Sequence, residues 1–214
     1  MFKNRQEAGR QLGQRLLHLI DERPVVLGLP RGGVVVAAEV ALALGAPLDV
    51  LVVRKLGAPH QPELAIGAVT NGDQPQRILN DRVIALVGVS DDYLQRETAA
   101  QLDEVKRRQT LYRGGRSAIE TTQRTVIVVD DGIATGATVR AGIRSLRQTN
   151  VKQIVLAVPV APPQTTKLLR AEVDELICLA TPHTFAAVGA FYQDFSQTTD
   201  AAVIAALERS NAAR

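Results

Sequence analysis

The chain has 214 residues, a hydrophobic share of 46%, a charged share of 22% and a formal net charge of +3. That length suits one α/β domain spanning 1–214 with small additions, and the apolar share excludes a disordered chain. No basic block is longer than Lys106-Arg107-Arg108, and three Tyr, four Phe and no Trp leave few platforms for stacked bases; a small anionic substrate is therefore expected, with no nucleic acid as partner.

In chain order, Ala8, Leu12, Leu16, Leu19 and Ile20 recur at a helical period from Gln6 to Glu22, and Pro24 marks the end. The continuous apolar run Val25 to Leu29 reads as a buried parallel strand, broken by Pro30-Arg31-Gly32-Gly33. A helix from Val34 to Leu44 closes at Gly45, and Leu48 to Val53 reads as a second strand ending at Arg54-Lys55. Glu63–Val69 and Arg77–Leu79, separated by Asn71-Gly72-Asp73, predict an antiparallel hairpin. A charged helix follows from Asp91 to Tyr112, ended by Gly114-Gly115, and offers an arm for a homodimer.

The second half alternates again: strand Thr125–Val129, loop Asp130–Gly136, helix Thr138–Arg147, strand Gln153–Val158, helix Pro163–Arg170, strand Glu175–Ala180. Strands alternating with helices imply an α/β fold, a parallel twisted sheet with helices on both faces. An irregular tail runs from Thr181 through Phe195, before a last helix near Ala201–Arg209. Cys178, the only cysteine, lies in an apolar strand and reads as core packing, without a disulfide or thiolate metal cluster. Met1–Glu7 has no apolar signal core and Glu39 interrupts the longest apolar stretch, so a cytoplasmic protein with no membrane partner is expected.

In an open α/β sheet, ligands sit beyond the carboxyl ends of the strands. There, Asp130 and Asp131 close one strand, and two adjacent acids cannot both enter the core. Ala134-Thr135-Gly136-Ala137-Thr138 is small, hydroxyl-bearing and leads into a helix, so its backbone amides can enclose a phosphate. A strand-to-helix turn with an Asp cap is the plainer alternative, although a cap needs only one such residue. No Gly-Lys-Ser/Thr triplet or dinucleotide glycine spacing occurs, which disfavours a nucleoside-triphosphate enzyme.

The run Val128-Val129-Asp130-Asp131-Gly132-Ile133-Ala134-Thr135-Gly136-Ala137-Thr138 resembles the signature of type I phosphoribosyltransferases. The resemblance implies that Asp130 and Asp131 contact the ribose 2′- and 3′-hydroxyls of phosphoribosyl pyrophosphate and, through water, a magnesium ion. It implies that Ala134 to Thr138 bind the 5′-phosphate. Pro30, Arg31 and Gly32 match the family's pyrophosphate loop, whose backbone often has an unusual peptide geometry, and Arg54-Lys55 resembles a cationic pair beside the pyrophosphate. Solvated turn and strand-end residues are the alternatives for both segments. On this view Asp130, Asp131, Arg31 and Lys55 carry the catalysis.

The family's mobile loop is replaced by a long insertion, about 56–116, in which Lys106, Arg107, Arg108, Arg113 and Arg116 read as a solvated mixed-charge face rather than a lid. Where the 6-oxopurine enzymes of the family carry an acid before Thr-Gly, this chain has Ala134, which turns the expected acceptor away from hypoxanthine or guanine. A hood over about 181–195 supplies Phe185 and Tyr192 to stack on a nitrogenous acceptor such as a nucleobase, and Asp194 to accept from its N–H; a packed C-terminal flap is the alternative. With Gly57 and Ala187 to Phe195, these motifs look like one bacterial group of phosphoribosyltransferases of unsettled acceptor. A regulatory module that binds the donor without turnover, and a phosphorylase or phosphoryl-transfer enzyme using a related ribose phosphate, remain as other functions.

Overall fold

The computed structural model describes residues 1–70 and 77–212. At its centre, β2 (Leu48–Val50), β1 (Val25–Gly28), β6 (Thr125–Val129), β7 (Gln153–Val160) and β8 (Glu175–Ala180) form a five-stranded sheet in that spatial order. All four pairings are parallel.

Alternate side chains on these strands serve two cores, as the two-residue period of a strand requires. Val26, Val50, Ile127, Val129 and Val155 face α1 (Arg5–Arg15), α2 (Gly32–Leu44) and α7 (Asp200–Ala212). Val25, Leu27, Val128, Leu156 and Val158 face α5 (Ala137–Arg147) and α6 (Pro163–Arg170). The expected α/β fold with helices on both faces is the fold observed.

A second, antiparallel sheet of β3 (Val53–Ala58), β4 (Gln61–Thr70) and β5 (Arg77–Leu79) lies against α4 (Asp91–Arg113) and α5. The hairpin expected between 63 and 79 is present, with Ala68 opposite Ile78; its turn, 71–73, lies outside the described residues. Two elements absent from the sequence reading join it: β3, and the short α3 (Asp81–Val87), capped by Asn80.

Two boundaries need correction. The helix read from Gln6 to Glu22 stops at Arg15, and Leu17–Glu22 forms a 3₁₀ turn that still buries Leu19 but exposes Ile20, because a turn of 3.0 residues rotates successive positions differently from one of 3.6. The strand read from Leu48 to Val53 is two strands. β2 ends at Val50, opposite Gly28, and the chain then leaves the edge of the main sheet to begin β3. Arg54 and Lys55 therefore stand inside the second sheet, opposite Val69 and Ala68, and not in a loop at the carboxyl end of a main-sheet strand.

Two contacts fix the remaining architecture. Where α1 crosses α2, a Cβ on Gly9 would lie 2.6 Å from the Val36 carbonyl oxygen and one on Gly13 would lie 2.7 Å from Ala43 Cβ, so small residues set the helix spacing. At the sheet edge, buried Asp49 accepts from Arg113 at the end of α4, with Nη2 at 2.9 Å, and from the Ile119 amide at 3.2 Å. This ion pair ties the insertion to β2. On α4 itself, Leu94, Val105 and Tyr112 are buried within the chain.

Gly9→Val should force the α1–α2 crossing open and lower unfolding free energy by about 1–3 kcal/mol, measured by urea denaturation. Asp49→Ala leaves half-buried Arg113 without its partner and should cost about 3 kcal/mol, seen as an earlier denaturation midpoint.

Candidate active site

The loops after β1 and β6 meet at the carboxyl end of the sheet. In the first, the Pro30–Arg31 peptide bond is cis, in accord with the unusual geometry expected of this loop. The second loop packs against it so closely that a Cβ on Gly32 would lie 1.9 Å from Asp131 Oδ2 and one on Gly33 2.9 Å from Asp130 Oδ1. Glycine is required here by space.

Both loops lead into helices with open N-termini. Neither Arg31 at the start of α2 nor Gly136 at the start of α5 provides a side-chain cap. Gly136 has φ 79°, a left-handed conformation that lets the chain turn into α5. Ala134, Thr135, Ala137 and Thr138 are exposed around it, and the Ala134 carbonyl accepts from Thr165 Oγ1 at 2.7 Å. The result is two sets of unsatisfied amides, each at the positive end of a helix, beside two carboxylates.

The acids are not equivalent. Asp130 Oδ1 accepts the Asp131 amide at 2.9 Å. Burial, and next the Asp131 charge, push the Asp130 carboxyl well above the ordinary carboxylate range. Asp131 is bound by Arg5, whose Nε lies 2.7 Å from Oδ2. Arg5 was not singled out in the sequence, where it is one arginine in a polar N-terminal stretch; only folding brings it to Asp131.

The hood residues have defined partners. Tyr192 is buried, its ring beside Phe2 and Phe195, and its hydroxyl donates to the Asp131 carbonyl at 2.5 Å. Burial, then the Asp131 charge, raise its pKa, so the hydroxyl remains a donor. Phe185 stacks on Phe191 with centroids 5.3 Å apart. Exposed Asp194 accepts the Ser196 amide at 3.0 Å, a bond that lowers its pKa.

Arg54 and Lys55 are drawn elsewhere. Arg54 Nε donates to Gln101 Oε1 at 2.9 Å and Lys55 Nζ to Glu63 Oε2 at 3.0 Å, beside a cavity of about 370 Å³ that Glu97 also lines. On α4, Arg107 and Arg108 both bind Glu104, whose pKa their hydrogen bonds lower to about 2. Lys106, Arg107 and Arg108 thus form the mixed-charge helix face expected of the insertion, whereas Arg113, expected on the same face, is turned inward onto Asp49. Among the described residues no cluster of three or more His, Cys, Asp or Glu side chains could hold a metal ion, and no helix is long and apolar enough to cross a membrane.

The sequence matches the phosphoribosyl transferase domain family over residues 3–195. It is 48% identical over 211 residues to a Mycobacterium tuberculosis protein, found in two strains, that is provisionally named a phosphoribosyl transferase. The alignment covers 99% of this chain and 47% of that protein, so the chain spans about half the length of the curated relatives it matches. The crystal structure of TT1426 from Thermus thermophilus is similar along 98% of both chains, with 45% identity and a TM-score of 0.85. With the diacid loop and both open helix N-termini inside the matched region, this chain belongs to the phosphoribosyl transferase domain family.

Proposed function

We propose that the chain binds phosphoribosyl pyrophosphate and transfers its phosphoribosyl group to a small nitrogenous acceptor, releasing pyrophosphate. The contact of the β1 and β6 loops carries this reading. Phosphoribosyl pyrophosphate has two anionic ends separated by a diol, and the site has two open helix N-termini, at Arg31 and Gly136, with Asp130 and Asp131 between the loops.

Amides of Ala134 to Thr138 bind the 5′-phosphate, and those of Arg31 and Gly32 in the turn that Pro30 opens, with the exposed Arg31 side chain, hold the pyrophosphate. The acceptor nitrogen forms a bond to ribose C1 as the bond from C1 to the pyrophosphate oxygen breaks, with the electron pair leaving on pyrophosphate. Asp130 and Asp131 hold the ribose hydroxyls, so that much of the rate comes from positioning. A donor set of two carboxylates fits magnesium held through water and not a closed protein cage. When bound with the donor, the ion would neutralise the departing charge.

The acceptor enters from the side of the hood, where Phe185 offers a ring and Asp194 a carboxylate. Ala134 supplies no acid to a purine N7, which favours an acceptor other than a 6-oxopurine. A second reading, donor binding without turnover, is favoured by one observation: Lys55 and Arg54 already have Glu63 and Gln101 as partners, so fewer cations serve the leaving group.

Asp130→Asn combined with Asp131→Asn should weaken phosphoribosyl pyrophosphate by about a hundredfold or more, through loss of charge-assisted hydrogen bonds, in calorimetry with magnesium. Unchanged affinity with an intact circular dichroism spectrum would exclude this donor site. Pyrophosphate release, measured with free purines, pyrimidines and small amines in turn, should single out an acceptor; donor binding without release from any of them would favour the regulatory module.

In the ligand-free protein at pH 7, Asp130→Asn alone should raise the melting temperature, by roughly 2–4 °C per kcal/mol relieved. The folded pKa of Asp130 lies above the unfolded one, so the wild-type fold loses stability as pH rises from the unfolded pKa to the folded one, and a neutral amide avoids that loss. The gain should vanish at a pH below the ordinary carboxylate range.

A further inference from the structure

We infer that Arg5 is a positioning residue of the donor site, holding Asp131 through an anchor built from both ends of the chain. This inference rests on the donor assignment above. Arg5 makes three contacts in different directions: Nε to Asp131 Oδ2 at 2.7 Å, Nη1 to the Ser196 carbonyl at 2.8 Å, and its guanidinium over the Phe195 ring, 3.8 Å from the centroid. Only a planar, multiply donating cation can make all three, and lysine cannot. The side chains of Arg5 and Asp131 are only 11% and 16% exposed, so the pair is not a screened surface bridge.

Arg5 is itself fixed. It opens α1, which is capped by Asn4 through the Glu7 amide. Just before it, Phe2 donates to the Phe191 carbonyl and accepts from the Gln193 amide, both at 2.8 Å, while the Asp194 amide donates to the Lys3 carbonyl at 3.0 Å. The N-terminal segment is thus fastened to the hood by an isolated parallel bridge between Phe2 and Tyr192. From that hood, Tyr192 reaches the Asp131 carbonyl. Asp131 is held at its backbone by Tyr192 and at its carboxylate by Arg5, and Gly32, with no side chain, leaves the space that Asp131 Oδ2 and Arg5 Nε fill.

Such an anchor serves a ribose diol. The carboxylate must point in one direction before the sugar arrives, or binding must supply the ordering entropy. Arg5 also places a positive charge beside two adjacent acids that repel each other, without giving the acids a cation that the substrate must displace from solvent. The hood's Tyr192 and Phe195 then act on the donor side of the reaction through Asp131 and Arg5, and Phe185 is left for the acceptor.

The test is a double-mutant cycle on the affinity for phosphoribosyl pyrophosphate with magnesium, read by calorimetry on folded protein. Arg5→Ala and Asp131→Asn should each weaken binding about tenfold, and the double variant should be no weaker than the worse single one, because both remove one anchor. Arg5→Lys, which keeps the charge and loses the Ser196 and Phe195 contacts, should fall between wild type and Arg5→Ala; should Arg5→Ala not fold, the Lys variant takes its place in the cycle. Losses that multiply in the double variant, or an Arg5 variant that binds like wild type while Asp131→Asn does not, would overturn the role of Arg5 and leave the donor assignment standing. Wild-type protein that does not bind phosphoribosyl pyrophosphate would overturn both.

Discussion

The contact between the β1–α2 and β6–α5 loops is the constraint on which the rest of the site depends, because it occurs where no side chain fits. Gly32 and Gly33 bring one backbone against Asp130 and Asp131, and the parallel register of β1 and β6 delivers both loops to the same end of the sheet. A helix begins after each loop, so the amides exposed there belong to two helix N-termini on the same end of the sheet. In the proposed function, this backbone arrangement offers amides to both anionic ends of the donor before any cation is considered.

Around that contact, the molecule spends polar groups on holding the acids. Arg5 and Tyr192, nearly the whole chain apart, converge on Asp131, and Phe195 packs on Arg5. Buried charges elsewhere are treated similarly: Asp49 is bound by Arg113 and a backbone amide, and Glu39 on α2 by Arg209 and Arg10. In each case burial would be unfavourable for a lone carboxylate, and a guanidinium from a distant element offsets it. The same pairs fasten α4 to β2, and α7 and α1 to α2, so electrostatic satisfaction and tertiary docking are one event.

Much of the fold was legible because its signals are local. Continuous Val, Leu and Ile runs marked β1, β6 and β7, and alternation with helical periods marked a parallel sheet covered on both faces. The diacid motif and the glycine turn were legible for the same reason, since each combines strand end, loop and helix start within about a dozen neighbouring positions. Less was visible where one apolar run served two structures. Leu48 to Val53 reads as a single strand, and only the end of pairing at Val50 opposite Gly28 shows that it crosses between sheets. That crossing moved Arg54 and Lys55 to partners on β4 and α4.

By itself, the sequence determined the α/β class and the family of this protein and marked the diacid loop as its candidate site, because strand, turn and helix propensities and the chemistry of a small, hydroxyl-bearing turn are properties of neighbouring residues. Tertiary structure alone decided that Arg5 meets Asp131, that Tyr192 supports the donor loop's backbone, and that Lys55 meets Glu63. The physical reason is range: a side chain's partner across a fold depends on where whole elements pack, and no spacing along the chain records the distance between Arg5 and Asp131.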